Sequence, residues 1–181
     1  MNCTQTPLAG CYEITPRLHT DARGYFFEAF NKKAFLNATG IDFQMLQENQ
    51  SKSVKGTIRA LHYQRGAAAQ AKLARVLAGE ILDVVVDLRP GSATYGQAHS
   101  LVLSSGNLKQ LYIPKGFAHG FSVLSESATI VYACDAPYNA QAEGGVYYAD
   151  PALAIDWKIK GQAPVLSDKD LGLPLLKDAL L

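Results

Sequence analysis

Short runs of β-forming residues follow one another along this chain at a spacing of roughly 8–12 residues, and turn-forming residues separate them. The first two predicted strands are residues 12–15 and 25–30. The later ones are residues 57–62, 73–77, 81–88, 98–103, 110–113, 120–123, 129–134 and 145–148. Many short strands at this spacing favour an all-β sandwich or barrel. A jelly roll is the natural closed form, and its interior mouth can hold a ligand.

Helical signals are few and local. Asn31 stands in the N-cap position before residues 32–36, and Gly40 marks the end of this short helix. Residues 151–181 are predicted to be loop and short helix, with apolar side chains that cover the core or a partner subunit. No repeat or linker interrupts the 181 residues, so a single domain over residues 1–181 is predicted.

Charge and composition argue against several functions. The formal net charge is +1, which speaks against bulk attraction to nucleic acid or to an anionic membrane. No apolar run approaches the ~20 residues that span a bilayer. The three cysteines form no even disulfide framework, so reduced thiols and a cytoplasmic location are expected.

Two histidines stand in unlike contexts. His62 ends a predicted strand, and His119 lies between Gly116 and Gly120, where a tight turn is predicted. Imidazole has a pKa of about 6.5, so it can take up and return a proton near neutral pH. Strict alternation puts Arg59 and His62 on opposite faces of a strand. Both can therefore reach one pocket only across a bulge or at a strand end.

Lys72, Tyr132 and Asp170 offer a cation, an acid and a carboxylate beside these histidines. Taken singly, Lys72 fits a solvated edge charge, Tyr132 a core residue with a satisfied hydroxyl, and Asp170 a cap or turn. A lone histidine on a strand is more often structural than catalytic. His19 and His99 are predicted to be surface residues without a role.

A metal site is not predicted. Metal ions need three or four convergent His, Asp, Glu or Cys ligands. Metal-binding jelly rolls usually offer His-x-His, then a Glu and a further His. This chain has His62-Tyr63-Gln64 instead, and residues 67–70 supply no carboxylate.

Several stretches carry a family resemblance. They are residues 21–28, 47–53, 59–64, 70–73, 83–87, 92–96, 113–121, Tyr132, residues 143–144 and residues 166–170. In order and spacing they resemble the dTDP-4-dehydrorhamnose 3,5-epimerase family, non-metal members of the cupin superfamily. The similarity extends over roughly residues 10–175. It implies a cupin-type jelly roll with a few short peripheral helices.

The resemblance implies epimerisation of a nucleotide-linked 4-keto-6-deoxy sugar at C3 and C5. The substrate would be dTDP-4-dehydro-6-deoxy-D-glucose and the product dTDP-4-dehydro-L-rhamnose, with no cofactor. The C4 ketone acidifies the hydrogens on both neighbouring carbons, because the carbanion spreads onto the ketone oxygen as an enolate. A base removes a proton from one face, and an acid returns one from the other.

Residue roles follow from the resemblance. It implies that His62 is the base, that Asp170 orients it, and that Tyr132 is the opposite acid. Lys72 would hold the enolate oxygen. The implied substrate contacts are Arg23, Glu28, Gln47, Asn49, Arg59, His119, Tyr138, Glu143 and Lys169.

Two of these contacts imply a homodimer. Arg23 and Glu28 match positions that reach the nucleotide in a neighbouring subunit, and jelly rolls with exposed sheet edges often pair. Tyr138 matches a position that stacks on the thymine base.

The chain also departs from the family pattern. Ala60 stands where the family often has Gly, Ala133 where it usually has Lys, and Pro137 where it often has an aromatic residue. These departures leave two alternatives open. One is a single-site 3- or 5-epimerase on a related deoxysugar nucleotide, and the other is a non-catalytic sugar-nucleotide-binding cupin. The nucleotide and the final sugar also stay open.

Overall fold

The computed structural model describes residues 1–181, and strands dominate it. The strands are β1 (Asn2–Gln5), β2 (Tyr12–Thr15), β3 (His19–Asp21), β4 (Gly24–Phe26), β5 (Gln47–Val54), β6 (Ile58–Gln64), β7 (Lys72–Ala78), β8 (Glu80–Asp87), β9 (Ala98–Ser104), β10 (Gln110–Ile113), β11 (Phe117–Val123), β12 (Ser127–Cys134) and β13 (Glu143–Gly145). The α-helices are α1 (Lys32–Thr39) and α2 (Asp168–Leu171), and single 3-10 turns lie at Gly66–Ala68, Ala140–Ala142 and Leu176–Asp178.

Two antiparallel sheets form the sandwich. Sheet I has the strand order β1-β2-β10-β7-β12-β5, and sheet II has the order β13-β6-β11-β8-β9. Strands β3 and β4 form a separate hairpin. The predicted all-β jelly roll with a few short helices is confirmed. No helix of the chain is both long enough and apolar enough to cross a membrane.

Apolar side chains fill three layers, and two of them cover the outer faces of the sheets. The middle layer lies between the sheets and includes Ile81 and Val85 of β8. The alternate residues of the same strand, such as Val84, pack against the C-terminal segment around Trp157. Helix α1 covers sheet I through Phe35. Because both faces of β8 are covered, this strand is apolar along most of its length.

The predicted helix is confirmed in detail. The side chain of Asn31 accepts a hydrogen bond from the backbone N–H of Ala34, and Gly40 adopts the left-handed conformation with φ 74°. These two residues therefore cap the helix at its two ends.

Some predicted strand boundaries were wrong. The strand predicted at 25–30 ends at Phe26, and the one predicted at 145–148 is replaced by β13, two residues earlier at its start. His119, predicted in a tight turn, lies inside β11, and the turn ends at Gly116. Strands β1, β3 and β5 were not predicted. Tail residues 151–181 are loop and short helix, as predicted.

A register irregularity aligns β6 with β11. His119 pairs with His62, but Phe121 pairs with Arg59, so β6 holds one extra residue between the two pairs. Such a bulge turns the side chains of Arg59 and His62 toward the same side. Arg59 and His62 can therefore reach one pocket across a bulge, as predicted.

Candidate functional site

A cavity of about 430 Å³ opens between the two sheets. Strands β5, β7 and β12 of sheet I line one wall, and β6 and β11 of sheet II line the other. All the predicted site residues except Arg23 and Glu28 line it. They are His62, Lys72, Tyr132, Asp170, Gln47, Asn49, Arg59, His119, Tyr138, Glu143 and Lys169.

His62 is held by a buried carboxylate from the C-terminal segment. Its Nε2 lies 2.6 Å from Oδ1 of Asp170, and the Ser167 hydroxyl donates to Oδ2 of Asp170 at 2.9 Å. Burial raises the pKa of Asp170, but the hydrogen bonds from His62 and Ser167 lower it by more, so the pKa lies below its usual value. An ionised Asp170 fixes the ring orientation and leaves Nδ1 of His62 free of protein partners.

Tyr132 stands across the cavity from His62, on β12 of sheet I. Burial raises the pKa of its phenol, so the hydroxyl keeps its proton at neutral pH. Its ring meets that of His119 edge-on, with the centroids 6.5 Å apart. The phenol makes no hydrogen bond with the protein and is available to a ligand.

Lys72 supplies a cation that the protein does not neutralise. Its Nζ lies 5.9 Å from the centroid of the Tyr132 ring and forms no salt bridge. Burial lowers the pKa of the Lys72 ammonium, and the nearby Cys134 and Asp83 oppose that shift. An unpaired buried ammonium is a strong attractor for an anionic oxygen in the cavity.

Asp83 was missed by the sequence analysis. It lies on β8, is fully buried, and places Oδ1 2.7 Å from Nε2 of His119. Its position in the apolar run of β8 was a usable signal, because a lone carboxylate inside a buried strand needs a polar partner. Both histidines that line the cavity are therefore bonded to a carboxylate, with Asp83 buried behind His119, and the two histidines are paired on neighbouring strands.

The rim of the cavity is built from a polar network. The Tyr138 hydroxyl donates to Oε2 of Glu143 at 2.9 Å, and Nζ of Lys169 donates to Oε1 of the same carboxylate. Gln47 accepts from the backbone N–H of Tyr138 at 2.9 Å and donates to Asn49. Burial raises the pKa of Glu143, but Lys169 and Tyr138 lower it by more. Gln47 and Asn49 thus position the rim as well as line it.

Further lining residues were not predicted. They are Ser51, Tyr63, Gln64, Gln70, Gly120, Phe121 and Ser167. Gln64 and Gln70 hold the rim loop, since they bond to the backbone of Asn139 and Ala136. Alternation along β5 from Gln47 and Asn49 could have indicated Ser51.

Arg23 and Glu28 lie outside the cavity of their own chain. Arg23 is in the turn of the β3–β4 hairpin, its side chain is 90% exposed, and it pairs only with Asp21. Glu28 accepts a hydrogen bond from Asn31 and is also exposed.

The departures from the family pattern do not all touch the cavity. Ala133 points away from it and packs in the layer under α1. Ala60 is fully buried, and a Cβ added to Gly120 would lie 2.4 Å from the Cβ of Ala60. Pro137 is exposed and precedes Tyr138 on the rim.

Two cationic side chains that line the cavity form no salt bridge. Glu143 bonds to Lys169 and Asp170 bonds to His62, whereas Arg59 and Lys72 have no carboxylate partner. Arg59 donates only to the Ser53 hydroxyl, at 3.0 Å. This arrangement suits an anionic ligand such as a diphosphate. No group of three His, Cys, Asp or Glu side chains is arranged to hold a metal ion. The metal-free site stays a prediction.

The arrangement of base and acid defines the kind of chemistry. An imidazole on one wall and a phenol on the other can take a proton from one face of a carbon and return one to the opposite face. An ammonium beside the phenol can hold the anion that forms meanwhile. A jelly-roll sandwich with this site is an epimerase of the cupin class, and thus an isomerase.

The chain belongs to the dTDP-4-dehydrorhamnose 3,5-epimerase family, whose sequence model matches residues 5–178. The crystal structure of that enzyme from Elizabethkingia anophelis is 48% identical, covers 98% of this chain and 97% of its own, and superposes with a TM-score of 0.95. A dTDP-6-deoxy-D-glucose-3,5-epimerase from Legionella pneumophila, solved in complex with dTDP-4-keto-L-rhamnose, is 44% identical over 98% of this chain and 93% of its own, with a TM-score of 0.93.

A relative of narrower activity has the same fold. It is a 3'-monoepimerase from Streptomyces bikiniensis, solved in complex with dTDP-quinovose. It is 34% identical over 98% of this chain and 88% of its own, with a TM-score of 0.90.

Proposed function

We propose that this protein inverts C3 and C5 of dTDP-4-dehydro-6-deoxy-D-glucose and so forms dTDP-4-dehydro-L-rhamnose. The observation that carries the proposal is the placement of His62 and Tyr132 on opposite walls of one cavity, with the unpaired Lys72 beside them. Inversion next to a ketone needs these three functions and no other reagent.

The steps are the same at both carbons. His62, oriented by Asp170, removes the proton next to the C4 ketone. Lys72 holds the enolate oxygen, an interaction worth several kcal/mol in a dry site. Tyr132 then protonates the opposite face, and a positioned acid or base adds roughly 10²–10⁴-fold to the rate. Both C3 and C5 adjoin the ketone, so one base and one acid can serve both.

The nucleotide binds toward the rim in this proposal. Arg59 forks onto the diphosphate, because a guanidinium can contact two phosphate oxygens at once. Tyr138, which is half exposed at the rim, stacks on the base, while Gln47, Asn49, Glu143 and Lys169 supply polar contacts and His119 contacts the sugar. The complex of the Legionella relative with a dTDP-sugar supports a dTDP-linked substrate.

The β3–β4 hairpin serves the site of a second copy in a homodimer. Arg23 and Glu28 are too exposed to act at their own cavity, and the hairpin also exposes Tyr25 at 57% and Phe26 at 67%. Exposed aromatic residues beside an unused cation fit an interface that buries them. The free thiols of Cys3, Cys11 and Cys134 fit a reducing compartment such as the cytoplasm.

A single-site epimerase is the second candidate. The Streptomyces bikiniensis relative favours it, because a 3'-monoepimerase keeps the same fold. The fold therefore does not decide which carbons are inverted.

Solvent exchange separates these functions. The purified protein is incubated with dTDP-4-keto-6-deoxyglucose in D₂O, and NMR follows deuterium and stereochemistry at each carbon. We expect wash-in and inversion at both C3 and C5. Exchange at one carbon alone would select the single-site epimerase. Tight binding without any exchange, by a folded sample, would contradict both and indicate a non-catalytic binding protein.

A further inference from the structure

Asp83 is a buried carboxylate that the proposed reaction does not yet use. It is fully shielded from solvent, and its Oδ2 has no hydrogen-bond partner. Its only hydrogen bond is the one between Oδ1 and Nε2 of His119, at 2.7 Å. A half-satisfied carboxylate in such a place is unfavourable unless a positive charge compensates it.

The two imidazole–carboxylate pairs differ in ways that matter for their charge. The carboxylate of Asp170 shares its charge between His62 and the Ser167 hydroxyl. The carboxylate of Asp83 has only His119. The His119 side chain is 7% exposed, against 29% for His62, so less water screens the attraction between its ring and the Asp83 carboxylate. The surroundings of His62 therefore suit a ring that gains and loses a positive charge during the reaction. Those of His119 suit a ring that stays positively charged.

His119 also lies next to the reacting groups. It pairs directly with His62 across neighbouring strands, and its ring contacts that of Tyr132. With Nε2 committed to Asp83, its Nδ1 has no protein partner and is the nitrogen open to a ligand. Its place between base and acid corresponds to the sugar rather than to the nucleotide.

We propose that Asp83 is a positioning residue that keeps His119 an imidazolium, so that Nδ1–H becomes a second donor to the enolate oxygen beside Lys72. The inference rests on the proposed function. It assigns a charge to His119, which the proposed function includes only as a polar contact to the sugar. Two cations on one developing oxyanion hold it more firmly than one, provided that neither must be reorganised during the reaction.

The charged and titratable groups around His119 set its environment. They come from every strand that packs against it and are Arg59 and His62 on β6, Lys72 on β7, Asp83 on β8 and Tyr132 on β12, with Asp170 behind His62 and Glu143 at the rim. Lys72 and Arg59 oppose a second proton on His119. Asp83 in contact, and the diphosphate of a bound nucleotide, favour it.

The first test measures the wild-type protein and uses a variant only to assign its signals. Protein labelled with ¹⁵N-histidine is saturated with dTDP, and the ring nitrogen shifts are followed from about pH 6 to about pH 9. The loss of one signal set in His119→Asn assigns the residue. We expect His119 to show imidazolium shifts over this range. Neutral-ring shifts near pH 7 would overturn the proposal.

The second test removes the charge of the carboxylate. Asp83→Asn should lower kcat roughly 10²-fold. The affinity for dTDP should stay within about twofold, because the change acts on the transition state. It should also make the ionisation of His119 visible in the pH profile of kcat, where the wild type shows none. A kcat within about twofold of wild type with an unchanged profile would overturn the proposal.

Asp87→Asn is the matched control. Asp87 is a fully buried carboxylate on the same strand, but it bonds to Arg89, Ser92 and Thr94 outside the cavity. We expect it to reduce stability without adding an ionisation to the profile. If Asp83→Asn does not fold, the wild-type ring shifts decide alone. A wild type with an imidazolium at His119 but no solvent exchange would overturn the proposed function and leave the charge assignment standing.

Discussion

His62 on β6 and Tyr132 on β12 reach one cavity from opposite sheets of the sandwich, and their strands share no backbone pairing. Their separation is therefore set by the packing of the sheets rather than by a local turn. A substrate ring that enters between the sheets has one face toward each residue.

This relationship predicts that exchange and inversion can be uncoupled. In Tyr132→Phe, His62 still removes a proton and returns one to its own face, so deuterium enters while product formation falls by roughly 10²–10⁴-fold. In His62→Ala both should fall. NMR in D₂O measures both quantities in one sample. Tyr95→Phe, at an exposed tyrosine outside the cavity, is the control. Equal losses of exchange and inversion in Tyr132→Phe would contradict the assigned roles.

Lys72 should act on the transition state more than on binding. We expect Lys72→Met to lower kcat roughly 10²–10³-fold, because the enolate oxygen loses its unpaired cation. The affinity for dTDP, measured by calorimetry, should change far less than kcat. Lys109→Met removes a surface lysine that pairs with Glu13 and should leave both unchanged. A large loss of dTDP affinity with normal kcat would place Lys72 on the nucleotide instead.

Mixing two impaired variants tests the homodimer. We expect Arg23→Ala to raise KM, because each hairpin serves the partner's cavity. When Arg23→Ala and His62→Ala subunits are mixed and exchanged, half of the dimers should be mixed, with one intact site each. Activity at low substrate should return to about a quarter of the wild-type value. Sedimentation of the wild type measures the dimer itself. No recovery on mixing would argue that Arg23 acts within its own chain or not at all.

Asp87 should make the fold sensitive to acid. Burial raises its pKa, but the bonds from Arg89, Ser92 and Thr94 lower it by more, so the net pKa lies below the usual 3.8. The unfolded chain then takes up the proton first. The stabilisation is therefore complete above about pH 5 and shrinks as the pH falls below about 4.

Asp87→Asn should thus lower the free energy of unfolding by about 1–3 kcal/mol at neutral pH. This range includes only a small contribution from the ion pair with Arg89, because Arg89 is partly exposed and water screens its charge. The difference from wild type should narrow near pH 3, since there the wild-type chain loses the same stabilisation. Urea denaturation at the two pH values measures it. A difference that does not narrow on acidification would refute the linkage.

The close approach of β6 and β11 predicts that substitutions at Gly120 and Ala60 have coupled effects on stability. A Cβ on Gly120 would lie 2.4 Å from the Cβ of Ala60. Overpacking of this kind costs typically 1–3 kcal/mol, so Gly120→Ala should be destabilised by about that amount. Adding Ala60→Gly should recover part of the loss, and thermal unfolding of both variants measures it. Rescue would be incomplete, because the Arg59 carbonyl oxygen also lies 2.8 Å away. No recovery in the double variant would mean that another contact dominates.

The sequence predicted those parts of the fold that bury apolar side chains. Strands β7 to β12 carry enough apolar residues to be recognised, and Asn31 and Gly40 signal the limits of α1. β5 was missed because its inward residues form the polar wall of the cavity and its outward residues face solvent. Its pattern of burial is that of a strand, although its composition resembles that of a loop.

Less of the site than of the fold could be predicted from the sequence. His62 and Asp170 stand 108 positions apart, and no local pattern links them, so only the family resemblance indicated the pair. Asp83 was missed because its partner lies on the neighbouring strand β11. Residues whose role depends on a distant partner become visible only once the strand register is known.

Asp170 belongs to the segment that wraps over the outer face of sheet II, after all thirteen strands have been made. The ribosome makes this segment after those strands. The sandwich can therefore assemble around a base that has no carboxylate yet, and reactivity is acquired only once Asp170 has been added. A chain truncated before Asp170 would keep the sandwich but leave His62 without its carboxylate partner.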